Sequence, residues 1–145
     1  MFKGSCLCGG VRFEVDELAG PFELCHCSRC RRVSGCGHMA GVAVRAEHFR
    51  FIAGRELIRH FELPVMERPP AYAVDFCAVC GSVTPPAEIA DPWLAVAPGL
   101  LEGELPQAPD RHIYVDFRAQ WDRGLDALPE FTAAEIRAHR RGPKK

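Results

Sequence analysis

Seven of the eight cysteines fall into three short clusters, and that spacing constrains the chain more than any other feature: Cys6-Leu-Cys8-Gly9, Cys25-His26-Cys27-Ser28-Arg29-Cys30 and Cys77-Ala-Val-Cys80-Gly81. Thiolates are metal ligands. Zinc holds them in a tetrahedron at about 2.3 Å, so a C-x-x-C turn brings two sulfurs to one point while nearby backbone amides donate to them. Glycine directly after Cys8 and after Cys80 permits the positive φ that closes such a turn. Cysteines serving only as small core hydrophobes would not place polar thiols at adjacent turn positions.

A structural zinc site is closed by four ligands, commonly two pairs far apart in sequence. Cys6, Cys8, Cys77 and Cys80 meet that rule. A metal joining them closes a loop of about 70 residues and ties an early strand to a late one. The middle cluster supplies three ligands, Cys25, Cys27 and Cys30. Three protein ligands and a fourth position for water or substrate is the arrangement of a catalytic zinc, so chemistry is expected there, with two zinc ions per chain. Cys36 supports two readings: a fourth ligand that closes this site, or a free thiol in the flexible segment Ser34-Gly35-Cys36-Gly37.

Around the clusters the pattern is all-β. Val11, Phe13 and Val15 alternate with Arg12, Glu14 and Asp16, the period of a strand with one buried face. Similar short patterns appear at His38–Val44, Phe49–Ile52, Leu57–Leu63, Tyr72–Phe76 with Tyr, Val and Phe on one face, Trp93–Ala97, and His112–Phe117, where Ile113, Val115 and Phe117 alternate. Turn signals separate them at 53–55, Pro69-Pro70, Pro85-Pro86 and Pro98-Gly99. One helix is expected near the end. Thr132-Ala-Ala-Glu135 has capping-box spacing, with Pro129 before it and Gly142-Pro143 after it, so it should run to about Arg140.

The 145 residues suit one domain, read as 1–145, around one core. Lys and Arg total 18 against 19 acidic residues, so no global field draws the protein to nucleic acid or an anionic membrane. The only basic run is the tail from Arg140 to Lys145. No stretch approaches the roughly 18 apolar residues of a membrane span. No secretory signal is seen at the start, and a cytoplasmic location follows. In a reducing compartment, eight cysteines read as metal ligands or reactive thiols rather than as disulfides.

The segments Gly4-Ser-Cys-Leu-Cys-Gly9, Cys25-His-Cys-Ser-Arg-Cys-Arg-Arg-Val-Ser-Gly35 and Phe76-Cys-Ala-Val-Cys-Gly-Ser82, followed by His112-Ile113, Trp121 and Leu128-Pro-Glu-Phe131, together resemble the glutathione-dependent formaldehyde-activating enzymes, a family that shares its domain with centromere protein V. The resemblance implies a β-tent fold of antiparallel sheets pinned by a structural zinc. It implies that Cys6, Cys8, Cys77 and Cys80 are the structural ligands, and that Cys25, Cys27 and Cys30 are the catalytic ones. It also implies a carbon–sulfur lyase joining glutathione to formaldehyde to give S-hydroxymethylglutathione. Zinc would take the incoming thiol as its fourth ligand and lower its pKa. Three thiolates leave that site with a formal charge of −1, which suits thiol chemistry better than hydrolysis. Two positions depart from the family pattern. Asp75 stands where a basic residue is frequent, and Cys36 stands where a small non-ligating residue is common.

Glutathione carries two carboxylates, so Arg29, Arg31 and Arg32 beside Cys30 are candidate substrate-binding groups through charge-assisted hydrogen bonds. A solvated turn whose arginines balance the anionic site is the competing reading. His26 lies between two ligands in extended chain, so its side chain should point away from theirs and serve packing or support. His38 and His112 are read as satisfied structural histidines ahead of proton shuttles, and Trp93, Trp121 and Phe131 as core anchors. Two rivals to the enzyme stand beside it: a zinc-stapled binding module without catalysis, and a redox-sensitive thiol protein.

Overall fold

Short strands with one apolar face make three small sheets. The structure, a computed structural model, describes residues 1–63, 72–124 and 128–141. The expected turn at Pro69-Pro70, the helix stop at Gly142-Pro143 and the end of the basic tail lie outside the described residues.

The first sheet joins β1 (Phe2–Ser5), β2 (Arg12–Val15) and β5 (Phe49–Ala53) in the order β1-β2-β5. The second contains β3 (Phe22–Cys25), β4 (Met39–Arg45), β9 (Trp93–Val96) and β10 (Arg111–Ile113) in the order β10-β3-β4-β9. The third holds β6 (Ile58–Glu62), β7 (Ala73–Cys77) and β8 (Val83–Thr84). Every pairing is antiparallel except β10 with β3. Among the described residues two α-helices complete it, α1 (Ser28–Ser34) and α2 (Ala133–Arg141). The all-β expectation with a short C-terminal helix therefore holds, and α2 opens at the expected capping box. The Thr132 amide donates to Glu135 Oε2 at 2.7 Å, and the Glu135 amide to Thr132 Oγ1 at 3.3 Å.

The inward faces of the first two sheets meet in the main core, where Phe13, Val15, Val42, Val44, Phe49 and Val96 are buried. A second, smaller core forms where the third sheet meets the β1–β2 turn. It consists of Val11, Ile58, Cys6 and Cys77, so half of its buried residues are thiols.

Three sequence expectations are corrected. The strand read at His112–Phe117 stops at Ile113; Tyr114 takes φ 55°, ψ 43° and a 3-10 turn covers Val115–Phe117. β10 pairs along β3 only as far as Ile113 opposite Cys25, where β3 itself ends, so beyond it β3 offers no further residue to continue the ladder. On β7 the face is the opposite of the one expected: Asp75 and Cys77 are buried, whereas Val74 and Phe76 are half-buried. Side chains alternate along a strand, so aiming Cys77 at the other cysteines carries Asp75 inward with it. His60, directly opposite on β6, meets Asp75 at 3.3 Å. Finally, Trp93, Trp121 and Phe131 are not core anchors, being 41%, 63% and 50% exposed. Trp93 takes an outward position on β9 and receives the Arg45 guanidinium over its ring at 4.8 Å, while Phe131 lies against His139 of α2. Among the described residues, no helix is long and apolar enough to cross a membrane.

Candidate metal centres

The first cluster is assembled by two chain reversals. β1 ends at Ser5, and the turn through Cys6 and Cys8 closes with the Gly9 amide donating to the Cys6 carbonyl at 2.9 Å. At the other end the Gly81 amide donates to the Cys77 carbonyl at 2.8 Å. Gly9 and Gly81 have φ of 72° and 75°, the left-handed conformation that the glycines were expected to supply. The two turns are cross-linked by the Leu7 amide, which donates to Ser82 Oγ at 3.0 Å.

All four sulfurs lie within 4.8 Å of one another. Cys6 Sγ is 3.4 Å from Cys8 Sγ, which is 3.9 Å from Cys77 Sγ, and all are free thiols. Sulfurs bound to one zinc at about 2.3 Å sit roughly 3.8 Å apart at tetrahedral angles, so the donor set fits that ion in type, number and spacing.

Their acidities diverge. The Ser82 hydroxyl, then the amides of Ser82 and Cys8, draw Cys80 down to about 5. The Gly10 amide favours the Cys8 thiolate, yet Cys6 beside it, desolvation and the other two thiols push Cys8 up to about 11. Like charges this close cannot all form at neutral pH without a cation between them.

The second cluster sits where β3 passes into α1. Cys25 is the last residue of β3, Cys27 is the N-cap of α1, and Cys30 is the buried residue of its first turn. The three sulfurs lie within 4.8 Å of one another. Burial works to raise the Cys27 pKa, but the Cys30 amide, 3.4 Å from its sulfur, and the neighbouring thiols bring it below the ordinary value. Cys25 is raised by burial, and Cys30 is raised strongly by burial and by the two thiols beside it. The Tyr72 hydroxyl donates toward Cys30 Sγ at 3.8 Å and keeps its own proton, because burial, then Cys30, raise its pKa. Cys25 and Cys30 form part of the wall of an apolar hollow of about 180 Å³ that Met39, Ala40, Ala95 and Ile113 also line.

Cys36 is exposed and its sulfur stands outside this group. With Ser28, Arg31, Arg32, Gly35 and Trp121 it lines a second hollow, of about 370 Å³, on the outer side of α1. Arg29 instead lies over the Tyr72 ring, 5.2 Å from its centroid.

His26 turns away from the sulfurs, as the alternation predicted. It is buried, with Nδ1 3.1 Å from Asp122 Oδ2 and Nε2 2.8 Å from His112 Nδ1. Burial, then the adjacent Arg118, lower its pKa. His38 lies nearby, its ring centroid 5.3 Å from that of His26.

Sequence reasoning passed over α1, Tyr72, Arg118 and Asp122 as parts of this region. α1 had a signal in Gly35, which ends it in the left-handed conformation after two basic residues; a cysteine in the capping position masked its start. The other three are separated from Cys25–Cys30 by dozens of residues and carry no local mark.

The family model described as glutathione-dependent formaldehyde-activating enzyme matches residues 1–117. A protein of Halomonas elongata named as a putative glutathione-dependent formaldehyde-activating enzyme is 27% identical over 153 aligned residues that cover 95% of each chain. The crystal structure of a Rhodobacter sphaeroides protein superposes with a TM-score of 0.56 at 26% identity, over 76% of this chain and 98% of the other.

Proposed function

Since the chain belongs to the glutathione-dependent formaldehyde-activating enzyme family, we propose that it is a zinc-dependent enzyme of the carbon–sulfur lyase type, joining glutathione or a related thiol to formaldehyde at Cys25, Cys27 and Cys30. In this reading Cys6, Cys8, Cys77 and Cys80 hold a second, structural zinc. The observation that carries the proposal is the convergence of three sulfurs at the wall of an apolar hollow.

A zinc ion held by Cys25, Cys27 and Cys30 would supply a fourth position at which an incoming thiol loses its proton. In the reaction the thiol S–H bond breaks and a sulfur–carbon bond forms. The carbonyl π pair moves to oxygen, and oxygen takes up a proton, so one thiol and one formaldehyde give one S-hydroxymethyl thioether without any oxidant. The chain's own groups position these events. The Cys30 amide holds the Cys27 sulfur in place from the start of α1. Met39, Ala40, Ala95 and Ile113 line the space beside the sulfurs with apolar surface that suits a small aldehyde and favours exclusion of water. The Tyr72 hydroxyl, protonated and close to Cys30, is the proton donor for the developing alkoxide. In this reading Arg31 and Arg32, which line the hollow on the outer side of α1, take the carboxylates of glutathione.

The test is the rate of S-hydroxymethylglutathione formation from glutathione and formaldehyde, over the uncatalysed background. Wild-type protein should accelerate it, and Cys27→Ser should abolish the acceleration while keeping a native circular dichroism spectrum. A fully active Cys27→Ser variant, or a wild-type protein with both thiolate sites loaded that gives no acceleration, overturns the proposal.

A further inference from the structure

We propose that His26, His38 and Asp122 form a third metal site, for a divalent first-row ion, on the far side of the Cys25–Cys27 segment from the three sulfurs. The donor atoms, one from each residue, lie within 4.8 Å of one another. Asp122 Oδ2 is 3.1 Å from His26 Nδ1 and 3.9 Å from His38 Nδ1. Ligands bound to a common ion at about 2.1 Å sit roughly 3.0 to 3.4 Å apart, at octahedral or tetrahedral angles respectively. The shorter separation is already such an edge. The longer one closes with a small rotation of His38, whose side chain is 31% exposed and leaves solvent access for a water ligand.

Two of the three donor atoms are otherwise unsatisfied. Neither Asp122 Oδ2 nor His38 Nδ1 has a hydrogen bond of acceptable geometry, although both atoms are buried and the Asp122 side chain is only 3% exposed. A buried carboxylate oxygen without a donor is expensive to keep, and a cation bound by all three lone pairs removes that cost. The carboxylate is also seated by construction: a Cβ on Gly37 would come within 2.2 Å of Asp122 Cγ, so only glycine leaves this niche open.

The surroundings match those of a ligating histidine. His26 Nε2 faces His112 Nδ1 at 2.8 Å, an outer contact of the kind that orients a ligating imidazole. Arg118 reaches both ring nitrogens of His26, Nε to Nδ1 at 3.4 Å and Nη2 to Nε2 at 3.0 Å. At 3.4 Å the contact to Nδ1 is the longer of the two, and an ion at Nδ1 replaces it while Arg118 keeps its contact with Nε2. Arg118 also adds a positive charge, which makes the negative charge of Asp122 indispensable for a dication. Two imidazoles and one carboxylate suit zinc, cobalt(II), iron(II) or manganese(II) better than calcium or magnesium.

The experiment uses the full chain with its thiolate sites loaded with zinc, titrated with cobalt(II) and followed by native mass spectrometry and absorption. Wild-type protein should take up one ion more than its thiolate sites hold, with weak d–d absorption and no thiolate-to-cobalt charge transfer. Asp122→Asn and His38→Ala should each weaken that uptake about ten-fold or more, with the thiolate sites unchanged. His38→Ala removes a partly exposed side chain, so it keeps the test decisive if Asp122→Asn fails to fold. No ion beyond those on the thiolates, or equal uptake by wild type and variants, overturns the proposal.

Discussion

Cys27 serves two purposes with one sulfur: it is a member of the three-thiol cluster and it caps α1. Both favour the thiolate, through the Cys30 amide and through the positive end of the helix. Arg31 belongs to the other face of the same helix. Its Nε is buried without a hydrogen bond, and it lines the hollow with Arg32 and Trp121. If that hollow takes a substrate carboxylate, Arg31→Ala should raise KM for glutathione about ten-fold, the equivalent of one charged hydrogen bond of about 1.5 kcal/mol, with little change in kcat. Steady-state kinetics at varied glutathione check this, and an unchanged KM removes Arg31 from the binding reading. The exposure of Trp121, 63%, is consistent with its place at the rim of this hollow rather than in the core.

At the scale of single elements, α2 is held at its start by local chemistry. The Thr132 side chain, and then the Thr132 amide that donates to Glu135 Oε2, keep the Glu135 carboxyl below the ordinary value of 4.5. A carboxylate with a depressed folded pKa contributes its stability in full above the unfolded value, and loses it as pH falls through the folded value. Helicity of the C-terminal segment should therefore be constant above pH 4.5 and decline below it, a decline that Glu135→Gln abolishes; circular dichroism of both proteins across acid pH decides. Across the first sheet, Arg50 on β5 reaches Glu14 at 2.6 Å and Asp16 at 2.9 Å. The guanidinium is nearly half exposed, so Arg50→Ala should lower the urea midpoint only slightly, and less still at high salt. A large fall in the midpoint that salt does not reduce would show that the pair is a buried network instead.

The whole molecule depends on two unequal cores. In the larger, Phe13 is 1% exposed and its ring fills the space over Gly4. Phe13→Ala should lower stability by about 3 to 5 kcal/mol, measured by equilibrium denaturation. The smaller core has four buried members and two are cysteines, which is too little apolar surface to hold the third sheet against the β1–β2 turn. A metal on Cys6, Cys8, Cys77 and Cys80 would close a loop whose inner ends, Cys8 and Cys77, are 69 residues apart. By analogy with a disulfide, that restraint on the unfolded chain is worth about 4 kcal/mol. A strong chelator should therefore lower the melting temperature sharply and loosen β6–β8 first, and added zinc should reverse both effects. Unchanged hydrogen-exchange protection of β7 after chelation would contradict this account.

The thiol clusters, the turns at Gly9 and Gly81, most of the strands and the cap of α2 were legible in the chain alone, because each rests on residues only a few positions apart. Contacts over long separations were not. The buried face of β7 was decided by the need to aim Cys77 at Cys8, which overrode the apolar pattern of Tyr72, Val74 and Phe76. The end of β10 was decided by where β3 ends, and the surroundings of His26 by the return of Arg118 and Asp122 from more than 90 residues away. Local conformation follows from near neighbours in sequence, whereas the second layer around a site is built by chain segments that meet only after the sheets have packed.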